Sequence, residues 1–223
     1  MLKLSSTLTT DLLAQPESGM GYQIVEATLT NGKIKRGVAY NGELLLFDDE
    51  PRLSMLTASF ERLVASAPSS AGEIKSLRIV PRTPMRTLTA AVKESLAGYG
   101  EENRPAKDAA PEKTKADEVF KRFSAYANDR RVRPDGSLLP GTYATTEEDA
   151  RNVKTGKQAV ARYALPNPEP ASNVFTIQPH EDTVVQVGIV QPTYGQPGCG
   201  VEVLFTVGTQ PRTVTGPEKI PDE

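Results

Sequence analysis

The chain has 223 residues, a net charge of -2, 38 % hydrophobic and 6 % aromatic residues, no Trp, one Cys and one His. That length suits one large domain or two small ones, and the charge gives no global field for nucleic acid. One Cys and one His exclude an intramolecular disulfide framework, a Cys-cluster zinc site and a multi-His metal centre.

The first nineteen residues, "MLKLSSTLTTDLLAQPESG", hold one Lys and no continuous apolar core, so they do not read as a secretory signal peptide. No window reaches the run of about 18 apolar residues that spans a bilayer. Cytosolic synthesis is expected, with later export by a signal-independent route left open.

"YQIVEATL" (Tyr22 to Leu29) alternates as a strand, and "TNGK" predicts a two-residue hairpin turn into "IKRGVAY". A second Asn-Gly, Asn41 and Gly42, leads to "ELLLFDD". Residues 28 to 50 resemble the strand-turn-strand core of Sm-like and other SH3-like small barrels. That implies a binding or assembly module, and an ordinary meander with a helix fits the same residues. Asp48, Asp49 and Glu50 read as a solvated turn before a helix N-terminus, where acids are favoured, rather than as a metal cluster. Helical spacing of Leu53, Leu56, Phe60, Leu63 and Val64 predicts a helix within residues 51–67. "EIKSLRIV" is a further strand. "RTLTAAVKESLAG" (Arg86 to Gly98) is a short helix ending at Gly98.

"AGYGEENRPAKDAAPEKTKAD" (Ala97 to Asp117) is charged and almost free of large apolar residues, so it reads as a linker. The expected organisation is a β-rich, barrel-like unit over 1–96, a linker over 97–117, and a second unit over 118–223. The fold class is α+β, with one or two helices in the first unit and a mixed β core in the second.

The second unit is built from short segments. "EVFKRFSAY" is a strand or short helix, and 128–146 is turn-rich. "TEEDARNVKTGKQAVARYAL" opens a capped helix that Gly156 ends or breaks. "SNVFTIQ", "DTVVQVGIV" and "GVEVLFTV" are strands. His180, in "QPHEDT", reads as an exposed turn residue. A Cys199–His180 pair is a formal alternative that sequence alone cannot bring together. "YGQPGCG" is not a phosphate loop, because no Lys-Ser/Thr follows and a strand comes next.

What remains for chemistry is Arg122, the hydroxyl-bearing Tyr143, Thr145 and Thr146, and Glu202. An Arg can clamp a pyrophosphate or a carboxylate through its planar fork. Hydroxyls can hold a ribose, and a Tyr can stack on nicotinamide. A Glu near that ribose stabilises the positive charge that develops as the glycosidic bond to nicotinamide breaks. The competing reading makes Arg122 a surface residue, Thr145 and Thr146 helix caps, and Glu202 an outward residue of an edge strand.

Taken together, "FKRFSAY", "DGSLLPGTYATTEEDA", "ARYALPNPEP" and "VQVGIVQPTYGQPGCGVEVLF" resemble the C-terminal toxin domains of bacterial polymorphic toxins. The likeness is to the ADP-ribosyltransferase and NAD-glycohydrolase superfamily, especially its tuberculosis necrotizing toxin-like group. It covers residues 118 to 220. In those domains an aromatic, a Gly-Gln-Pro-Gly-Gly-Gly loop and an apolar residue precede a Gln or Glu on a strand. The resemblance implies NAD as substrate, phosphate contact by Arg122 and a catalytic role for Glu202. It also implies a nicotinamide-side wall from Tyr194 to Gly200, Gln196 and Gly198 included, and an immunity protein as partner; no metal is expected, on the counts of Cys and His alone. Cys199 departs from the pattern's Gly. Glu202 stands where the necrotizing-toxin group has Gln, which leaves transfer to a macromolecule and hydrolysis both open. Gly200 stands where arginine-modifying transferases carry Glu or Gln, which argues against arginine as acceptor.

Overall fold

The computed structural model describes residues 1–50, 60–81, 104–167 and 169–223. The chain is α+β, built on two antiparallel sheets. The predicted helix over Arg86 to Gly98 and the first part of the predicted 51–67 helix lie outside the described residues.

The N-terminal unit comprises β1 (Leu2–Lys3), α1 (Ser6–Leu13), β2 (Tyr22–Leu29), β3 (Ile34–Tyr40), β4 (Leu44–Phe47), α2 (Phe60–Ser66) and β5 (Ile74–Ile79). Its strand order is β1-β4-β3-β2-β5. Helix α1 went unread in the sequence. Ser5 caps it by accepting the Leu8 amide at 3.4 Å. Leu8 and Leu12, one turn apart, pack with Leu4 on Val25, Ala27, Leu45 and Phe47. The β1 edge curls back onto the segment before β5: Lys3 N–H donates to Pro68 O and Ser70 N–H to Lys3 O, both at 2.8 Å. The order is that of an open sheet in which β2, β3 and β4 run as a consecutive meander, the other reading these residues allowed.

The β2–β3 turn corrects one expectation. Thr28 pairs Ile34, and Gly32 N–H donates to Leu29 O with Gly32 at φ +82°. This is a three-residue loop with glycine in the left-handed position, not a two-residue turn. The acidic triple forms ion pairs: Asp49 with Lys35 at 2.8 Å, and Glu50 with the N-terminal amine. Among the described residues no group of His, Cys, Asp or Glu could hold a metal ion.

The C-terminal unit begins with a 3-10 turn (Ala106–Asp108) and β6 (Pro111–Lys113). It continues through β7 (Phe120–Ser124), β8 (Thr142–Thr146), α3 (Glu147–Ala150), α4 (Gly156–Arg162), β9 (Asn173–Ile177), β10 (Val184–Ile189), β11 (Val201–Phe205) and β12 (Val214–Lys219). The order is β12-β9-β7-β8-β11-β10-β6. Phe120, Ala144, Phe175, Val185, Val203 and Phe205 form the core on one face. Phe123, Tyr143, Leu204 and the α4 residues Ala159 and Val160 lie in the cluster on the other.

The linker expectation fails from residue 104 onward. Pro111 to Lys113 pair with Gln186 to Val184 as an edge strand, and Ala106 is fully buried. Backbone pairing holds this stretch, so its lack of large apolar side chains is no obstacle to order. Gly156 also differs from expectation: it opens α4 behind the cap Thr155. Helix α3 before it is a single turn. Strand β12 was unread; it breaks register between Thr215 and Glu218, around Pro217, at the sheet edge, where proline is tolerated.

The two units are not separate bodies. Met20, Tyr22, Ile24 and Val80 of the first share one apolar cluster with Phe123, Tyr143, Tyr163 and Leu204 of the second. Asn41, at the tip of the β3–β4 turn, donates to Asn128 O at 3.0 Å and accepts the Arg130 amide at 2.9 Å.

Candidate functional site

Glu202 sits in β11, which β8 and β10 flank on either side. It is therefore on an interior strand, not an edge, and only 3 % exposed. Alternation puts Val201, Val203 and Phe205 in one core and Glu202 with Leu204 on the other face. Its cross-strand partner is Gly188. A Cβ on Gly188 would overlap Ala106 N and Arg104 O, so the missing side chain is what lets the 3-10 turn lie over this rung. The Ala106 amide then donates to Glu202 Oε1 at 2.8 Å. A segment read as linker thus covers the predicted catalytic carboxylate.

The glycine-rich loop is pinned by its own backbone. Gly198 N–H donates to Ala161 O at 3.0 Å, Cys199 N–H to Val190 O at 2.9 Å, and Gly200 N–H to Arg162 O at 3.1 Å. These amides serve the end of α4 and the end of β10, in keeping with the reading that the loop is not a phosphate cradle. Gln196 is half-buried and its amide closes a turn to Thr193 O at 2.8 Å. Tyr194 is partly buried, with its ring edge-on to Tyr22 at 5.4 Å between centroids. Cys199 adopts φ +70°, the conformation that the pattern's Gly takes without strain. Burial raises the Cys199 thiol above its ordinary value, and the Arg162 charge works against that rise.

Thr145 and Thr146 take the parts of helix caps and neighbours. Thr146 caps α3, accepting the Asp149 amide at 3.2 Å. Thr145 is fully buried and donates to Asp149 Oδ2 at 3.3 Å. Asp149 also accepts from Tyr163 OH at 3.1 Å and from Arg162 Nε at 3.0 Å. Burial, then Asp149, push the Tyr163 hydroxyl far above its ordinary value. Tyr143 is buried in the shared cluster, opposite Leu204 across the β8–β11 rungs. Arg162 and Asp149 are the functional candidates that sequence reading missed. A Cβ on Gly200 would lie 2.9 Å from Arg162 Cγ and 2.8 Å from Tyr163 Cε1. Arg162 is thus a cation directly behind the loop. The run "QAVARYAL" carried no signal for that placement beyond a basic residue in the last helical turn.

Arg122 is neither on the surface nor beside this loop. It is fully buried, and alternation along β7 places it with Phe120, away from Phe123. Its Nε and Nη2 donate to Asp129 at 2.9 and 3.2 Å, and its Nη1 and Nη2 to Glu17 at 2.9 Å each. Nη1 also donates to Tyr143 O at 2.6 Å. All five N–H donors are engaged, so none is left for a phosphate in this arrangement. Burial opposes its charge, but Asp129 and Glu17 more than offset that and raise its pKa. The predicted set therefore divides. Tyr143 and Tyr194 share one apolar cluster with Leu204, on whose face of β11 Glu202 lies, Gln196 and Gly198 are placed by backbone bonds within the loop and to α4, and Arg122 anchors a separate buried ion cluster. His180 is exposed, as expected.

No family model matches the sequence, and no curated protein matches it. Among solved structures, the chain is similar to one described as Tne2 in complex with Tni2. The identity is 16 %, the match covers 52 % of this chain and 95 % of that chain, and the TM-score is 0.38.

Proposed function

We propose that the C-terminal unit is a toxin-type effector domain that consumes NAD, breaking the nicotinamide–ribose bond and passing ADP-ribose to a macromolecule or to water. The observation that carries this reading is Glu202: a carboxylate 3 % exposed, on an interior strand, directly after a pinned glycine-rich loop. In such low-dielectric surroundings a carboxylate stabilises a developing oxocarbenium charge far better than it would in water. Nicotinamide leaves with the electron pair of the glycosidic bond. The ribose carbon then bonds an acceptor oxygen or nitrogen, or water, which gives up a proton. Tyr194 is the aromatic next to the loop for the nicotinamide ring. Arg162, behind the loop and paired with Asp149, takes the place of Arg122 as the cation for the NAD phosphates, and reaching them requires it to exchange that carboxylate for phosphate. Binding requires the Ala106 amide to yield Glu202. An immunity protein that blocks this face is the partner that the family resemblance implies.

A second reading is favoured by the bond from Ala106 to Glu202. Here the carboxylate is structural, and the chain is a binding or assembly protein that holds NAD or a partner without turnover. Thermal unfolding with NAD, run beside an assay of nicotinamide release, separates the two. Release supports the enzyme. A rise in Tm without release, with or without cell lysate as acceptor, supports the binding protein. Neither effect would overturn both.

A further inference from the structure

Strands β7 and β8 pair at Phe120–Thr146 and Lys121–Thr145, and their ladder goes no further. Beyond those rungs the strands part around two side chains. Arg122 enters from β7, and Glu17 enters from the N-terminal unit, between α1 and β2. Glu17 Oε2 accepts the Tyr143 amide at 3.0 Å as well as Arg122 Nη1, while Oε1 accepts Arg122 Nη2 and the Gly21 amide at 2.9 Å. Both oxygens are therefore doubly bonded, in a setting where the Glu17 side chain is 2 % exposed and that of Arg122 is 0 %.

The charges balance only with Glu17 present. Arg122 and Asp129 neutralise each other. Arg131, 3 % exposed, donates to Thr142 Oγ1 at 3.1 Å and to the carbonyls of Leu13, Gln15 and Pro140. None of those four acceptors carries a charge. Withdrawing Glu17 leaves one uncompensated buried positive charge and unpaired N–H groups of Arg122, Tyr143 and Gly21, all facing one gap. A buried, unpaired charge is strongly unfavourable.

We propose that Arg122 and the Tyr143 amide form a carboxylate-binding notch between β7 and β8, and that Glu17 is its intramolecular ligand. The notch accepts a small free carboxylate whenever Glu17 is removed. The N-terminal unit thereby docks on the C-terminal sheet through a ligand-like contact. The same strand entry carries Met20 and Tyr22 onto the face of Tyr143, Tyr163 and Tyr194.

The test uses the full chain with Glu17→Ala, and formate as the probe. The variant unfolds at lower temperature than the wild type, and formate raises its Tm by roughly 5–10 °C at a hundred times its Kd. Formamide and equal ionic strength as chloride do not, the wild type shows no formate-specific shift, and Glu17→Ala combined with Arg122→Met loses the response. Equal shifts with formate and chloride, or no shift with either, overturn the proposal. If Glu17→Ala is recovered unfolded, refolding it in formate against formamide replaces the melting experiment. Recovery with formate alone supports the notch, and recovery with neither or with both overturns it.

Discussion

Glu17 and Arg122 lie 105 residues apart in the chain and meet through two hydrogen bonds of 2.9 Å with neither side chain open to solvent. This contact, with Asp129 on the other edge of the guanidinium, couples the N-terminal sheet to the C-terminal one.

Removing one partner of such a buried set leaves the other uncompensated, which costs about 3–5 kcal/mol. Glu17→Ala and Arg122→Met are each expected to lower Tm by about 10 °C, whereas Lys35→Ala, at an exposed pair, leaves it within about 2 °C. Differential scanning calorimetry of the three variants checks this. Equal small effects for all three would show that the cluster is not a structural anchor.

Asp129 gives the pH dependence. Burial works against its charge, but Arg122, by charge and by hydrogen bond, holds its carboxyl below the ordinary 3.8. A depressed folded pKa contributes stability that is complete above the unfolded value and is lost as pH falls through the folded one. The urea midpoint of the wild type should decline between about pH 5 and pH 2, and Asp129→Asn, less stable at neutral pH, should decline less. Parallel curves for the two proteins would contradict the assignment.

The N-terminal hairpin and β9 were legible because Asn-Gly marks turns and one-sided burial imposes period two, and β10 and β11 because short apolar runs between turn signals mark strands that a sheet covers. Helix α1 was missed because its eight residues are rich in Thr, which argues weakly for helix, and its apolar face is only Leu8 and Leu12. The Arg104–Asp117 segment was misread because composition reports side-chain burial, while β6 is held by backbone bonds. Glu202 was singled out by its position after the glycine-rich loop and by the family resemblance. Its cover by Ala106 was not, because it depends on Gly188 pairing across from it. Arg122 was read as a clamp for NAD phosphates from its fork of donors, and nothing local announced that Glu17, so distant in sequence, would fill that fork.

Gly188 is the hinge of that cover. Gly188→Ala forces the 3-10 turn away from β10, with an overpacking cost of roughly 1–3 kcal/mol. Hydrogen exchange should then show faster exchange of the Ala106 amide than in the wild type, with the β2–β3 amides unchanged. Unaltered protection at Ala106 would mean that the turn does not rest on this glycine.

Cys199 tests the loop. A non-glycine residue in the left-handed region costs roughly 1–2 kcal/mol, so Cys199→Gly should raise Tm by a few degrees. With its thiol raised by burial, the wild-type cysteine should also react more slowly with iodoacetamide at neutral pH than a free cysteine. A lower Tm for Cys199→Gly would show that the side chain contributes more than the backbone strain removes.

The central claim concerns Glu202, and nicotinamide release from NAD measures it most directly. With lysate supplied as acceptor, the wild type should release nicotinamide, and Glu202→Ala, which removes the side-chain oxygens that Gln would keep, should lose at least about a hundredfold in rate, the scale on which a single electrostatic stabiliser acts. Release by the wild type that Glu202→Ala leaves unchanged, in a variant that retains its fold, would contradict the account.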